Sequence, residues 1–251
     1  MAGEPKVVGM SWAEFKEYFA AHWRPGEHIG LCGGTGSGKS TFAGGILDLR
    51  RFALVLDPKG GDETLAALKL RRLPTWPGER KMISMLDKDE REGRPSRYIV
   101  GPVVNRGEDL PKLRAAIGGA LGGAFDMGGW TVFLDEAQVA ADRRMMNLSG
   151  PIDRLLVAAR SKGVSLVLNF QTPRWVGNAS LTQPTWFCVS GTRDTDTVNR
   201  LAEIMGRPKA EVRGAFKALS EVKYTWLIVG RDSSAPFIIT KPDKIAPKRT
   251  S

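Results

Sequence analysis

Apolar and polar positions along this chain follow two periods in turn. Ser11-Trp12-Ala13-Glu14 has the form of a helix capping box, and Phe15, Tyr18, Phe19 and Trp23 follow on one face. An amphipathic helix of about three turns is therefore predicted within an N-terminal extension, residues 1–26. His28-Ile29-Gly30-Leu31-Cys32 reads as a buried strand, and Lys39 to Leu49, with Phe42, Ile46 and Leu49 at helical spacing, as a helix. Apolar runs at Phe52–Leu56, Arg97–Val100, Thr131–Leu134, Val164–Phe170, Trp186–Ser190, Tyr224–Val229 and Pro236–Thr240 predict further strands. Leu110–Met127 and Pro151–Ser161 read as helices, the second with Ile152, Leu155, Leu156 and Ala159 inward. Alternating strands and helices predict an α/β fold with a mainly parallel twisted sheet and helices on both faces, one domain over residues 27–240. Two stretches break the pattern. Residues 71–97 carry eight basic and five acidic residues with prolines at 74, 77 and 95, and read as a surface excursion with one short helix around Lys81–Asp87. The tail, residues 241–251, is basic, proline-interrupted and too poor in apolar residues to fold alone, so a flexible arm is expected.

Charge adds a partner to this picture. Lysine and arginine number 37 against 27 aspartates and glutamates, a net charge of +10. Solubility alone would account for some excess; a chain this basic more often meets a polyanion, nucleic acid above all. Cys32 and Cys188, the two cysteines, both fall in apolar runs and read as core residues of a reduced, cytosolic protein. Two histidines without clustered cysteines argue against a zinc site. No run is long and apolar enough for a membrane span, and no signal-peptide pattern opens the chain.

Candidate chemistry begins at Gly33-Gly34-Thr35-Gly36-Ser37-Gly38-Lys39-Ser40-Thr41, which fits G-x-x-x-x-G-K-[ST] between a predicted strand and a predicted helix. Consecutive backbone N–H groups at a helix N-terminus make an anion site. Lys39 would reach the β- and γ-phosphates of a nucleoside triphosphate, and the Ser40 hydroxyl would hold Mg²⁺. A glycine-rich hairpin is the competing reading, disfavoured by the strand-before, helix-after context. Downstream, the strand Thr131–Leu134 ends in Asp135-Glu136. Adjacent carboxylates repel, and a bound cation would relieve them. In a Walker B arrangement Asp135 supports the metal while Glu136 orients and deprotonates an attacking water. The plainer reading is a strand ending in an acidic turn. Gln171, at the end of Val164–Phe170, is placed to sense the γ-phosphate, or is a turn residue before Pro173.

With these stretches in hand, the chain resembles the FtsK/HerA superfamily of ring-forming DNA-translocating ATPases. The resemblance rests on GGTGSGKST (33–41), LVLDPKG (54–60), VFLDEAQ (132–138) and AARSKGVSLVLNFQTPR (158–174), and spans roughly residues 27–206. It implies a RecA-like P-loop core, ATP as the nucleotide, and assembly into a ring, usually a hexamer, with ATP between subunits and an arginine from the neighbour completing the site. Arg160 lies in the matching segment and Arg193, in SGTRDTD, is its rival; both Arg160 and Arg154 also read as helix-surface residues. Many relatives carry an arginine just before the following strand, where this chain has Trp186. The segment 139–150 lies where related motors carry a channel loop, so Arg143 and Arg144 are candidates for contacting double-stranded DNA phosphates, or else belong to an ordinary basic loop. At this length, without anchor or winged-helix domain, the shape resembles the genome-packaging ATPases of membrane-containing viruses, with a portal or capsid as further partner and a cytoplasmic or virion-associated location. A HerA-like motor partnered with a nuclease is the alternative within the family. Outside it stand a P-loop small-molecule kinase, which the Asp135-Glu136 pair and Gln171 suit less well, and an NTPase switch of a secretion apparatus that does not bind DNA.

Overall fold

The computed structural model describes residues 6–104, 109–173, 176–191, 194–219, 223–232 and 234–243. Among the described residues ten strands form one sheet: β1 (Val7–Gly9), β2 (Ile29–Cys32), β3 (Phe52–Leu56), β4 (Arg71–Leu73), β5 (Ser96–Val100), β6 (Thr131–Leu134), β7 (Ser165–Phe170), β8 (Trp186–Ser190), β9 (Trp226–Gly230) and β10 (Phe237–Thr240). Their order across the sheet is β1-β10-β9-β8-β2-β7-β6-β3-β5-β4. From β8 through β2 to β4 every pairing is parallel; β9 runs antiparallel to both β8 and β10, and β1 pairs parallel with β10. The fold is thus α/β with a mainly parallel sheet.

The apolar runs in the sequence follow from burial on both sheet faces. Alternate residues of each strand feed separate cores, as the two-residue period requires. Leu54, Leu56, Val132, Leu134, Leu166 and Leu168 face a layer made by α5 (Leu110–Met127), α7 (Ser149–Ala158), α8 (Asn178–Thr182), α9 (Thr195–Met205) and α10 (Lys209–Leu219). Ala53, Val55, Phe133, Val167, Ile29 and Leu31 face α1 (Trp12–His22), α2 (Lys39–Leu47) and α3 (Glu63–Ala66). Ser11 caps α1 in a full capping box: its hydroxyl accepts from the Glu14 N–H at 3.3 Å, and Glu14 Oε2 accepts from the Ser11 N–H at 2.8 Å. Trp12 and Phe15 of α1 then pack on Phe42 of α2, with ring centroids 5.3 and 5.8 Å apart. The N-terminal segment therefore braces the helix that follows the glycine loop and adds β1 to the sheet edge.

Residues 71–97, read as a surface excursion, carry regular structure at the sheet edge. They contribute the edge strand β4, the 13-residue helix α4 (Glu79–Arg91) and the start of β5. The predicted short helix around Lys81–Asp87 lies within it; charge conceals its full length because Met82 and Asp89 are its buried residues. The Asp89 carboxylate accepts from the Tyr98 hydroxyl, from Ser96 Oγ at 3.1 Å and from Arg94 Nε at 2.6 Å, so burying it leaves few lone pairs unmet. His28, just before β2, is buried and neutral. Its Nδ1 accepts from the Leu166 N–H at 3.0 Å, its Nε2 donates to the Leu156 carbonyl at 3.1 Å, and burial pushes its pKa down to about 4. It ties β2 to β7 and to the end of α7 at the edge opposite the glycine loop.

Candidate functional site

The carboxyl ends of β2, β7, β6 and β3 converge where open α/β sheets place their ligands. The glycine loop leaves β2 at Gly33, whose N–H donates to the Phe170 carbonyl at 3.2 Å. A side chain at Gly33 would run into the Ser190 hydroxyl and come within 2.6 Å of Ser37 Oγ, so only glycine fits against β8 here. Gly36 and Gly38 take left-handed conformations, φ 74° and 86°, which turn the chain back into α2. Gly38 caps that helix without a side-chain acceptor, leaving first-turn N–H groups directed at the loop's hollow. Lys39 folds over the loop, its Nζ donating to the carbonyls of Gly33 at 2.7 Å and Gly34 at 2.9 Å. Burial lowers the Lys39 pKa, opposed by the nearby Asp135 charge.

Across the hollow, β6 delivers the acids. Asp135 is buried; its backbone N–H donates to the Leu56 carbonyl at 3.1 Å, and its carboxylate accepts from the Asn169 side-chain amide. Burial pushes the Asp135 pKa up to about 6, the Asn169 hydrogen bond pulling the other way. Glu136 begins α6 (Ala137–Ala141) with φ 45°, a left-handed conformation that few non-glycine residues adopt. This turns its carboxylate towards β3, where Oε1 meets Lys59 Nζ at 2.5 Å. Lys59 is delivered by a turn that Asp57 builds: the buried Asp57 carboxylate accepts from the N–H groups of Lys59 at 3.0 Å, Gly60 at 3.1 Å and Asp62 at 2.9 Å. A cavity of about 340 Å³ is lined by the loop from Thr35 to Thr41, by Lys59, Asp62 and Thr64, and by Asp135, Glu136, Asn169 and Gln171. Five residues singled out in the sequence, Lys39, Ser40, Asp135, Glu136 and Gln171, thus line one space.

No family model matches the chain, and no curated protein matches it in sequence. Solved structures do. B204, the DNA-packaging ATPase of Sulfolobus turreted icosahedral virus, aligns at a TM-score of 0.57 and 19% identity over 88% of this chain and 100% of that one. The genome-packaging NTPase B204 of Sulfolobus turreted icosahedral virus 2, in complex with AMPPCP, aligns at 0.55 and 17% identity over 87% and 99%. VirB4 of Thermoanaerobacter pseudethanolicus aligns at 0.53 and 13% identity over 88% and 90%. The fold is that of a P-loop NTPase.

Within this P-loop NTPase fold the donor set suits Mg²⁺. The ion takes one or two protein oxygens and completes its shell with water and phosphate, and Ser40 and Asp135 line the cavity together. Burial holds the Asp135 carboxyl above its ordinary range, and a divalent cation beside it would favour the charged form. Among the described residues no group of three or more His, Cys, Asp and Glu gathers into a closed metal cage. Asp135→Asn tests the electrostatic cost. Folded Asp135 keeps its proton to higher pH than the unfolded chain does. Its contribution to stability therefore falls as pH rises from about 4 to about 6, and stays low above that. In chelator, the variant is expected to be more stable than wild type at pH 7.5 by on the order of 1–3 kcal/mol, a Tm gain of several degrees, and no more stable at pH 4. Thermal melts across this range decide it; a difference independent of pH would assign the effect to packing.

The remaining candidates lie elsewhere in the P-loop NTPase fold. Arg160 sits in a 3-10 turn (Arg160–Lys162) before β7, at the amino end of the sheet, with its backbone against Gly26. The six residues of β7 separate it from the cavity, roughly 20 Å at strand rise, so it does not serve the cavity of its own chain. Arg154 lies over the Phe125 ring, 4.0 Å from its centroid. Trp186 is buried, its indole N–H donating to Glu27 at 3.1 Å and its ring edge-on to Phe19. Arg193 and residues 244–251 of the basic tail lie outside the described residues. Arg143 and Arg144 project from a turn in which Asp142 accepts from the N–H groups of Arg144 at 2.7 Å and Met145 at 3.2 Å, and both arginines are exposed. Among the described residues no helix is long and apolar enough to cross a membrane. Sequence reasoning assigned no roles to Lys59, Asp62 and Asn169. The signal for Asn169 was a lone amide inside the apolar run VSLVLNF, and for Lys59 the motif LVLDPKG.

Proposed function

We propose that the chain is an ATP-hydrolysing motor that moves double-stranded DNA through a ring of its own subunits, in the packaging of a viral or mobile-element genome. The observation that carries this reading is the meeting of Lys39, Ser40, Asp135, Glu136 and Gln171 around one cavity at the head of a glycine loop. The loop N–H groups and the N-terminus of α2 bind the phosphate chain. Lys39 exchanges the carbonyls of Gly33 and Gly34 for β- and γ-phosphate oxygens. Ser40 and Asp135 would hold Mg²⁺, which would supply positive charge against the phosphate oxygens. Glu136, once free of Lys59, accepts a proton from water as its oxygen bonds to the γ-phosphorus; the bond to the β-phosphate oxygen breaks, leaving ADP and phosphate. Gln171 reads the presence of the γ-phosphate from the end of β7.

Arg160, out of reach of its own cavity, is a candidate to complete a neighbouring subunit's site, as is Arg193. Arg143 and Arg144 contact DNA phosphates without reading sequence, as a translocating motor requires. The net charge of +10 supports a polyanionic track. So does the shared fold with B204, a DNA-packaging ATPase spanned end to end by this alignment. Steady-state ATP hydrolysis with and without long duplex DNA tests the reading. Duplex is expected to stimulate turnover several-fold at low salt and progressively less as salt rises, because salt cations compete with basic side chains for the DNA phosphates. Turnover indifferent to duplex at every salt concentration would leave a P-loop ATPase that does not track DNA.

A further inference from the structure

Tyr224 stands over the glycine loop and has no part in the hydrolytic reading. It immediately precedes Thr225 and β9, with φ 65°, one of four non-glycine residues at positive φ among those described. Its side chain is 50% exposed, so the ring contributes little to the core. The ring lies against Gly38: a Cβ there would be 3.2 Å from Tyr224 Cδ1. Two residues on, Trp226 is buried and packs on Phe42 of α2 at 4.7 Å between centroids. The segment that carries Tyr224 is thereby fixed to the helix that follows the loop. An aromatic residue in a left-handed conformation is strained, and such strain collects at ligand clamps.

The sheet order says which part of a ligand would meet this ring. Lys59, Asp62, Asp135, Glu136, Asn169 and Gln171 all stand on the β7–β6–β3 side of β2, so a terminal phosphate lies on that side. The other end of the nucleotide must leave the loop towards β8 and β9. Ser190, the last residue of β8, pairs with Trp226, the first of β9, so Tyr224 sits at the same sheet edge as the loop and on the nucleoside side.

We infer that Tyr224 is the stacking platform for the base of the bound nucleotide, with its ring face on a purine. The inference rests on the nucleotide reading of the cavity and adds the element that reading lacks, a residue for the base. Stacking draws on the π-face every base possesses. Purines offer the larger face, so the site prefers purine over pyrimidine triphosphates and separates adenine from guanine weakly through this residue.

The test compares two ligands on the full chain, ATP and inorganic tripolyphosphate, each with Mg²⁺, by titration calorimetry. Tyr224→Asn is the main variant, because asparagine tolerates the left-handed conformation and keeps the backbone in place. Tyr224→Phe keeps the ring. Tyr224→Asn is expected to weaken ATP about tenfold or more and leave tripolyphosphate unchanged, while Tyr224→Phe binds both as wild type does. Equal weakening of both ligands, or undiminished ATP binding in Tyr224→Asn, overturns the inference. A wild-type chain that binds neither ligand overturns the nucleotide reading itself, and the inference with it.

Discussion

Glu136→Gln is expected to bind ATP and fail to turn it over, with hydrolysis lowered about 10²- to 10⁴-fold, the usual contribution of a positioned general base. Glutamine matches glutamate in size and meets the same conformational demand at φ 45°, so the fold and the cavity should persist. What it loses is the capacity to take a proton. It also loses the charge that holds Lys59 at 2.5 Å, so the variant should bind the triphosphate at least as well as wild type. ATP affinity and single-turnover hydrolysis measured side by side check this. Turnover within a few fold of wild type would show that another group takes the proton. Lys59→Met gives the complementary result: Glu136 survives without its clamp, and any fall in turnover then measures what the clamp does for positioning.

The second large effect concerns Lys39. Lys39→Met keeps the length of the side chain and removes its charge. ATP affinity should fall about 10- to 100-fold, the worth of one or more charge-assisted hydrogen bonds in a half-buried site, and hydrolysis should drop below detection. Thermal stability should change little, because removing the bonds to the Gly33 and Gly34 carbonyls is offset by relief from burying an ammonium group. Calorimetric titration with ATP, beside a melting curve, separates the two. Wild-type affinity in this variant would remove Lys39 from the phosphate site and undermine the loop's reading as a nucleotide cradle.

The sequence was most legible where burial acts on both sides of an element. β6 and β8 are buried along their whole length, so their apolar runs give their bounds directly, and β2 and β7 differ by one residue from the runs that foretell them. The helix α5 is equally plain, since Leu113, Ile117, Ala120 and Leu121 keep helical spacing over 18 residues. The edge strands β1 and β4 are three residues each, too short for a period to show, and β4 lies within a charged segment. α9 and α10 have no counterpart among the elements read from the pattern, although Asp194 caps α9 through the Asp196 and Thr197 N–H groups.

At the site, local motifs were readable and long-range pairings were not. The glycine loop is contiguous in sequence, and Asp135-Glu136 is marked by acids ending an apolar strand. The partners Lys59 and Asn169 reach these acids from β3 and β7, 77 and 34 positions away along the chain, and only the sheet register brings them together. Tyr224 is harder still. Its place over Gly38 depends on a turn between elements and on the anchoring of Trp226, neither of which has a sequence pattern.

The pairing of β1 with β10 has a consequence for how the chain acquires its structure. Val7, Val8 and Gly9 find their partners at Phe237, Ile238 and Ile239, so this ladder closes a loop of more than two hundred residues. Contacts of such separation form late and slowly, and a chain emerging from the ribosome cannot make them until β10 has been synthesised. The ladders β6–β7, β3–β5 and β8–β9 close much shorter loops and can assemble first, leaving the β1–β10 margin of the sheet as the last part to lock. Truncation just before Phe237 should accordingly leave a collapsed chain with an unpaired β9 edge, prone to self-association rather than simply unfolded.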